Sequence, residues 1–393
     1  MRIHRMLRLT FGTVIMLFSG ILYAWSILKA PLMSNFGWNN AELGFNYTLT
    51  MIFFCVGNIT AGFLLKKLSV KISMIIGAAV SFSGLLYASH IQGSLWALYI
   101  SYGIFGSLGI GIIYNVVLTS VISWFPERRA TASGVMMMGY GLSSLLLGPI
   151  AHFLIQTMDW RICYRILGSV ILLISLIGCF FMTMNHDIST TAAVKRDIDN
   201  HDLAPQEMLR RASFWRFYAC LLLGFAVGGC FISMAKDIAI AAGTSDAIAV
   251  IFVGLLSASN GVARILFGFL FDNFGRLKTM MLSGLITLAT VILAFGAIEL
   301  QFVPLTALVF ILVGFTYGSL PPTFSASISE AYGHKNFAIN FSITNTLVQL
   351  PASFSATAGG VLLLKTGSYN VLLLFLLACA IVMLFFCRHT REI

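Results

Sequence analysis

Charge is scarce in this chain. Asp, Glu, Lys and Arg make up 10% of its 393 residues, against roughly 25% in ordinary soluble domains. A water-soluble fold of this length is excluded. With 59% hydrophobic residues, 33 Phe among them, the bilayer is the solvent. The seven cysteines, Cys55, Cys163, Cys179, Cys220, Cys230, Cys379 and Cys387, include no Cys-x-x-Cys pair. They read as small buried hydrophobes, and no disulfide framework, metal site or cofactor is indicated. The histidines, His4, His90, His152, His186, His201, His334 and His389, stand near span ends or in loops. They offer no convergent nucleophile and base, so the chain reads as a non-enzyme. The basic, apolar N-terminus lacks a convincing small-x-small cleavage site. It is expected to be an uncleaved first span. The lack of an appended soluble domain weakens a sensor reading.

What the chain does have is apolar length. A helix needs about 20 apolar residues to cross the hydrocarbon core. Twelve segments qualify: 8–33, 42–65, 72–90, 95–124, 131–156, 161–184, 214–238, 246–271, 279–299, 303–327, 337–364 and 369–387. The expected fold is an all-α membrane protein of twelve transmembrane helices in two pseudo-symmetric six-helix lobes. The expected division is an N-terminal lobe over 1–184, a polar cytoplasmic linker over 185–213 and a C-terminal lobe over 214–393.

Of the 24 Lys and Arg, eighteen fall on the side shared by both termini and alternate loops, and five on the other side. The positive-inside rule then predicts an inner-membrane, multi-pass protein with both termini cytoplasmic. The same asymmetry accounts for the net charge of +10 without nucleic acid. The halves also echo each other. GFLLKKLSVK from Gly62 and GFLFDNFGRLK from Gly268 are 206 residues apart, and the same shift carries WFPERRATASG from Trp124 onto EAYGHKNFAIN from Glu330. Arg129 and Lys335 coincide under it. Such repeats are what two-lobed transporters leave in their sequences.

The remaining cation is Arg264, in the middle of an otherwise apolar span. None of the 14 Asp and Glu falls in the middle third of a predicted span. A charge at a helix centre costs about 2.5–3.5 kcal/mol on insertion scales, so Arg264 is expected to face a wet cavity. Two readings compete. Arg264 bonds carbonyls and hydroxyls across the lobes, or a substrate anion is its counter-ion. The second is favoured, because a guanidinium fork fits a carboxylate with two parallel bonds. Ser257, Asn260, Arg264 and Gly268 also share one small, polar helix face.

Tyr114, Asn115, Tyr23, Trp25, Tyr140, Tyr317, Asn345 and Gln349 are further candidates for the same cavity. Packing competes for each aromatic, and interhelical hydrogen bonding for Asn345 and Gln349. Asp237, beside Lys236 at the outer end of span seven, is a candidate proton carrier, since burial raises a carboxylate's pKa. Interfacial placement is the plainer reading of that pair. Small residues in span five and Pro351, Gly359 and Gly360 in span eleven suit moving helices or tight packing.

GFLFDNFGRLK resembles the loop motif of the major facilitator superfamily. Gly268, Leu270, Asp272, Gly275 and Arg276 match in order, whereas Lys66 replaces the Asp of the first-half copy. The resemblance implies a gating role for Asp272 and Arg276 on the cytoplasmic side, with Arg129 on the adjoining basic loop.

YAWSILKAPL, WFPERRATASG, DWRICYRILG, EMLRRASFW, NGVARILFGFLFDNFGR and GHKNFAINF together resemble the oxalate/formate antiporter and monocarboxylate transporter families over nearly the whole chain. That resemblance implies transport of a small carboxylate by alternating access. Arg264 matches the carboxylate-binding arginine, Asn260 the residue one turn before it and Tyr114 the span-four tyrosine, so Arg264 is expected to supply the charge while Asn260 and Tyr114 bind and position the anion. Oxalate antiporters carry a lysine in span eleven, where this chain reads FSITNTLVQLP, so a monoanion of the lactate, pyruvate or formate type is expected. Asn260 stands where animal-type carriers often have Asp, which puts proton coupling there in doubt. Proton symport, carboxylate exchange and uniport stay open. An exporter of other small organic molecules is the weaker alternative, because it would need an acid in the cavity. A small carboxylate, H+ and lipid are the expected partners, with no nucleic acid, and the protein is expected to act as a monomer.

Overall fold

The computed structural model describes residues 2–185 and 202–388. Among the described residues the fold is all-α, with twelve long helices. They are α1 (Arg2–Ser19), α2 (Asn40–Lys67), α3 (Val70–Ala88), α4 (Ser107–Ile122), α5 (Arg129–Thr157), α6 (Trp160–Gly178), α7 (Ala212–Ser233), α8 (Asp246–Phe274), α9 (Arg276–Leu300), α10 (Val303–Tyr332), α11 (Phe337–Thr366) and α12 (Tyr369–Arg388). Eleven stretches among the described residues are long and apolar enough to cross a membrane. The twelfth helix, α11, is 30 residues long.

Three spans depart from the continuous helices that the sequence predicts. The first continues from α1 through a 3-10 turn, Gly20–Ala24, into the short helices Trp25–Leu28 and Ala30–Phe36. The reason is visible at the turn. A Cβ at Gly20 would stand 2.3 Å from Ser143 Oγ and 2.4 Å from the Tyr140 carbonyl oxygen. Ser143 Oγ also donates to the Gly20 carbonyl, competing for an acceptor the helix would use. The fourth span holds a π-helical stretch, Tyr99–Gly106, before α4. The seventh breaks at Met234, and Ala235–Ala241 forms a separate short helix. At the other extreme, α8 runs past its predicted end to Gly275, whose φ of +79° closes it.

The described chain forms two compact units. The first comprises Met1–Pro126, Val135–Asp202 and Gly333–Thr346. In it α4 packs against both α2 and α3, and α3 against α6. Glycines set the spacing: a Cβ at Gly111 would stand 2.2 Å from the Phe54 carbonyl oxygen, and one at Gly109 2.2 Å from the Ser81 nitrogen. The first turns of α11 belong here. Ile339 packs on Gly62 of α2, where a Cβ would come within 2.6 Å of Ile339 Cγ1.

The second unit comprises Glu127–Gly134, Leu203–Tyr332 and Leu347–Ile393. Its apolar core runs through Phe231, Leu256, Val291, Phe310 and Leu376. The first turns of α5 belong to it, packed on α8: a Cβ at Gly268 would meet the Ala130 carbonyl oxygen at 2.4 Å. Gly62 and Gly268, equivalent in the sequence repeat, therefore each seat the opening turns of a helix from the other half of the sequence.

Candidate functional site

Arg264 sits in the second unit on α8 and is 5% exposed. Its Nε donates to Asn260 Oδ1, one turn earlier, at 3.2 Å. The surrounding backbone is crowded. On one side a Cβ at Gly134 of α5 would lie 2.2 Å from the Arg264 carbonyl oxygen. Toward α10, a Cβ at Gly318 would lie 2.4 Å from the Asn260 carbonyl oxygen. Arg264 is thus largely enclosed by the protein, with α5 and α10 packed closely on the backbone of its helix. Ser257, on the same face, is exposed, and its hydroxyl donates back to the Val253 carbonyl at 3.1 Å. In the same unit Tyr317 packs edge-on against Phe225 of α7, ring centroids 5.2 Å apart. Gln349 is half-buried on α11.

The first unit gathers three predicted tyrosines into one aromatic group. Tyr114 and Tyr140 have ring centroids 5.0 Å apart, and Tyr23 and Tyr140 5.2 Å. Phe54 lies 5.4 Å from Tyr114 and 6.0 Å from Tyr140. Phe341 of α11 stacks on Tyr114 at 6.4 Å. These are rigid apolar faces carrying phenol groups, suited to a small polar molecule with an apolar body. Asn345 is buried in the first turns of α11, in this unit. It and Gln349 share a helix face but fall in different units.

Three placements correct the sequence reading. Asn115 is fully buried, and its Nδ2 donates to the Asn58 carbonyl at 2.8 Å and the Ala338 carbonyl at 3.0 Å. Its Oδ1 accepts from Thr119 Oγ1 at 3.0 Å. It brackets α2, α4 and α11 rather than offering a ligand group. Trp25 likewise packs on Tyr102, ring centroids 4.7 Å apart, and donates to the Leu43 carbonyl at 3.1 Å. Asp237 is exposed on the short helix beyond the Met234 break, so it lacks the burial that a proton-carrier role invokes.

The loop motif is resolved in detail. Asp272 Oδ1 accepts from the Ala130 nitrogen at 3.1 Å, and Oδ2 from the Thr131 nitrogen at 2.8 Å and Thr131 Oγ1 at 2.6 Å. The carboxylate thus satisfies orphan donors at the N-terminus of α5, where the helix dipole favours negative charge. Arg129 Nη1 donates to Ser329 Oγ of α10 at 3.1 Å. Gly275 joins α8 to α9. Arg276 opens α9, and its buried Nε and Nη1 meet no acceptor among the described residues. Asp272 and Arg129 thus tie α8, α5 and α10 together at this loop.

The sequence profile of the Major Facilitator Superfamily matches residues 9–356, with a second match over 229–392. The chain belongs to this superfamily. It is thus a multi-pass membrane transporter rather than an enzyme. The FucP transporter of the superfamily, solved in an outward conformation, superposes with a TM-score of 0.72 at 14% identity. That match covers 98% of this chain and 99% of that one, and it shows the fold. The oxalate:formate antiporter of Oxalobacter formigenes is 25% identical over 81% of this chain and 76% of its own length. Monocarboxylate transporter 12 of Rattus norvegicus is 24% identical over 86% of this chain and 73% of its own length.

Two features of this superfamily member escaped the sequence reading. Gly314 and Gly318, spaced one turn apart on α10, shape the backbone approach to α8; only their i, i+4 spacing hinted at this. Asp202 accepts from the His334 nitrogen at 2.6 Å and the Lys335 nitrogen at 3.0 Å. It supplies a carboxylate just before α11, on the half where Lys66 replaces the motif acid.

Proposed function

We propose that the protein carries a small monocarboxylate of the lactate, pyruvate or formate type by alternating access, with the carboxylate bound by Arg264. The observation that carries this reading is a guanidinium 5% exposed in the middle of a membrane-spanning helix, its Nε held by Asn260. A permanent charge at that depth costs several kcal/mol and is retained where it has work to do. The planar fork matches a carboxylate. The names of two relatives, one an oxalate:formate antiporter and one a monocarboxylate transporter, support the substrate class. The phenols of Tyr23, Tyr114 and Tyr140 are suited to the body of such a molecule. Asn345 and Gln349 are secondary candidates.

On this reading the chain works as a monomer in the inner membrane with cytoplasmic termini. Its coupling is proton symport or exchange of one carboxylate for another. A second reading, exchange of a dicarboxylate, draws on the name of the Oxalobacter relative. It is disfavoured because the cations of α11 reduce to Lys365 in the last turn.

Uptake of labelled lactate, pyruvate, formate and oxalate into proteoliposomes, with and without a pH gradient, tests the proposal. Arg264→Ala and Arg264→Lys are expected to lose at least 90% of carboxylate uptake, on the order of 1.4 kcal/mol or more of lost binding. Undiminished uptake by Arg264→Ala refutes the role of the arginine.

A further inference from the structure

We infer that Gly318 and Asn260 form a positioning relay that orients the Arg264 guanidinium, with Asn260 acting on the arginine and not on the substrate. The inference rests on the carboxylate reading and deepens it.

The chemistry of the contact fixes the roles. A guanidinium has donors only, so the Asn260 atom 3.2 Å from Arg264 Nε is the carboxamide oxygen. An oxygen with lone pairs turned to that place attracts a cation and repels an anion. Holding Nε also fixes the plane of the guanidinium, and with it the direction of the two terminal nitrogens. Because the carboxamide is neutral, it orients the charge without cancelling it.

Gly318 provides the space in which the carboxamide lies. A Cβ there would stand 2.9 Å from Asn260 Oδ1, 2.4 Å from the Asn260 carbonyl oxygen and 2.8 Å from Ala263 Cβ. Gly314, one turn earlier, makes an equally close helix approach but against different atoms. Its nearest neighbours are Ser259 Oγ at 2.0 Å, the Leu256 carbonyl oxygen at 2.6 Å and the Asn260 nitrogen at 2.8 Å. Both glycines serve packing of α8 on α10, but Asn260 Oδ1, which accepts from Arg264 Nε, is among the three atoms nearest a Cβ at Gly318 and not among those nearest one at Gly314. That difference separates positioning from packing.

The test uses the full-length protein in proteoliposomes and whichever of lactate, pyruvate, formate and oxalate the wild type carries fastest. Initial rates are measured for Gly318→Ala, Gly314→Ala, Asn260→Ala and the Gly318→Ala/Asn260→Ala double variant. Gly318→Ala is expected to raise KM about tenfold, the scale of one charge-assisted hydrogen bond, with kcat within about twofold of wild type. Asn260→Ala is expected to raise KM by a similar factor, and the double variant by less than the product of the two, because both changes break that one bond. Gly314→Ala is expected to lower thermal stability and leave KM unchanged.

A Gly318→Ala KM that matches that of Gly314→Ala overturns the relay alone, as does a double variant whose KM multiplies the two single effects. If Gly318→Ala does not fold, Asn260→Ala decides, and an unchanged KM overturns the relay. A wild type that carries none of the four anions sinks the carboxylate reading and the relay with it.

Discussion

Replacing Asp202 by Ala should release the opening turns of α11. The carboxylate Oδ1 accepts from two consecutive backbone donors, His334 at 2.6 Å and Lys335 at 3.0 Å. The fit depends on Gly333, whose φ is +80° and where a Cβ would lie 2.0 Å from Oδ1. A hydrogen bond to a charged acceptor contributes about 1.5–3 kcal/mol when sheltered. These two lie at an exposed surface, where water replaces part of what is lost, so the pair together is assigned about 1–2 kcal/mol. That is roughly a 5- to 30-fold shift in an equilibrium. The equilibrium concerned is whether the first turns of α11 stay seated on Gly62 of α2 and on the Asn115 carboxamide of α4.

Hydrogen exchange of the full-length protein in nanodiscs reads this shift directly. Asp202→Ala should speed exchange of residues 338–344 by about 5- to 30-fold, the factor that the estimate above implies. These residues lie beyond the His334 and Lys335 nitrogens that bond Asp202, so faster exchange there reports release of the helix and not loss of an acceptor. Asp272→Asn provides the matched control, because its effect should be confined to Ala130, Thr131 and the turns that follow. Unchanged exchange over 338–344 in Asp202→Ala would refute the reasoning, as would an equal rise in the first turns of α5.

Two further outcomes are expected. Asn260→Asp sets an acid one turn before Arg264, so substrate must compete with an ion pair. KM should rise more than about tenfold at neutral pH and fall again as the pH is lowered and the new carboxyl becomes neutral; a KM that does not respond to pH contradicts this. Asn115→Ala removes two interhelical hydrogen bonds and should cost about 1–3 kcal/mol. The expected signature is a melting temperature lower by roughly 5 °C, with the order of preference among carboxylates unchanged.

The architecture was legible because membrane spans are written in long apolar runs, and no tertiary information is needed to see them. Arg264 was legible for the same reason: a charge within such a run has nothing local to explain it. The latch was legible through Gly268, Asp272 and Gly275, which have to recur in order because a close approach, a cap and a positive φ are each needed there. The breaks at Gly20 and Met234 were not visible. At Gly20 the cause is a hydroxyl of Ser143, 123 residues away, and local hydropathy carries no trace of it. Asn115 and Asp237 were misread for a related reason. A polar residue in an apolar run signals that it has a partner, but whether the partner is backbone, water or cargo depends on the neighbouring helices.

Asp202 shows the same point at its strongest. Under the 206-residue repeat, the counterpart of Asp272 is Lys66, so the first half reads as a latch that has lost its acid. Opening turns of a helix still require acceptors for their donors, and that requirement does not lapse because one position has changed. In this chain a carboxylate from outside the repeat, at the end of the segment joining the halves, bonds the turn just ahead of α11. Gly62 keeps its seat for Ile339 throughout. Steric pairing was thus retained by the repeat, while the charge came from elsewhere, and a search for matching residues at matching offsets finds only the first of these.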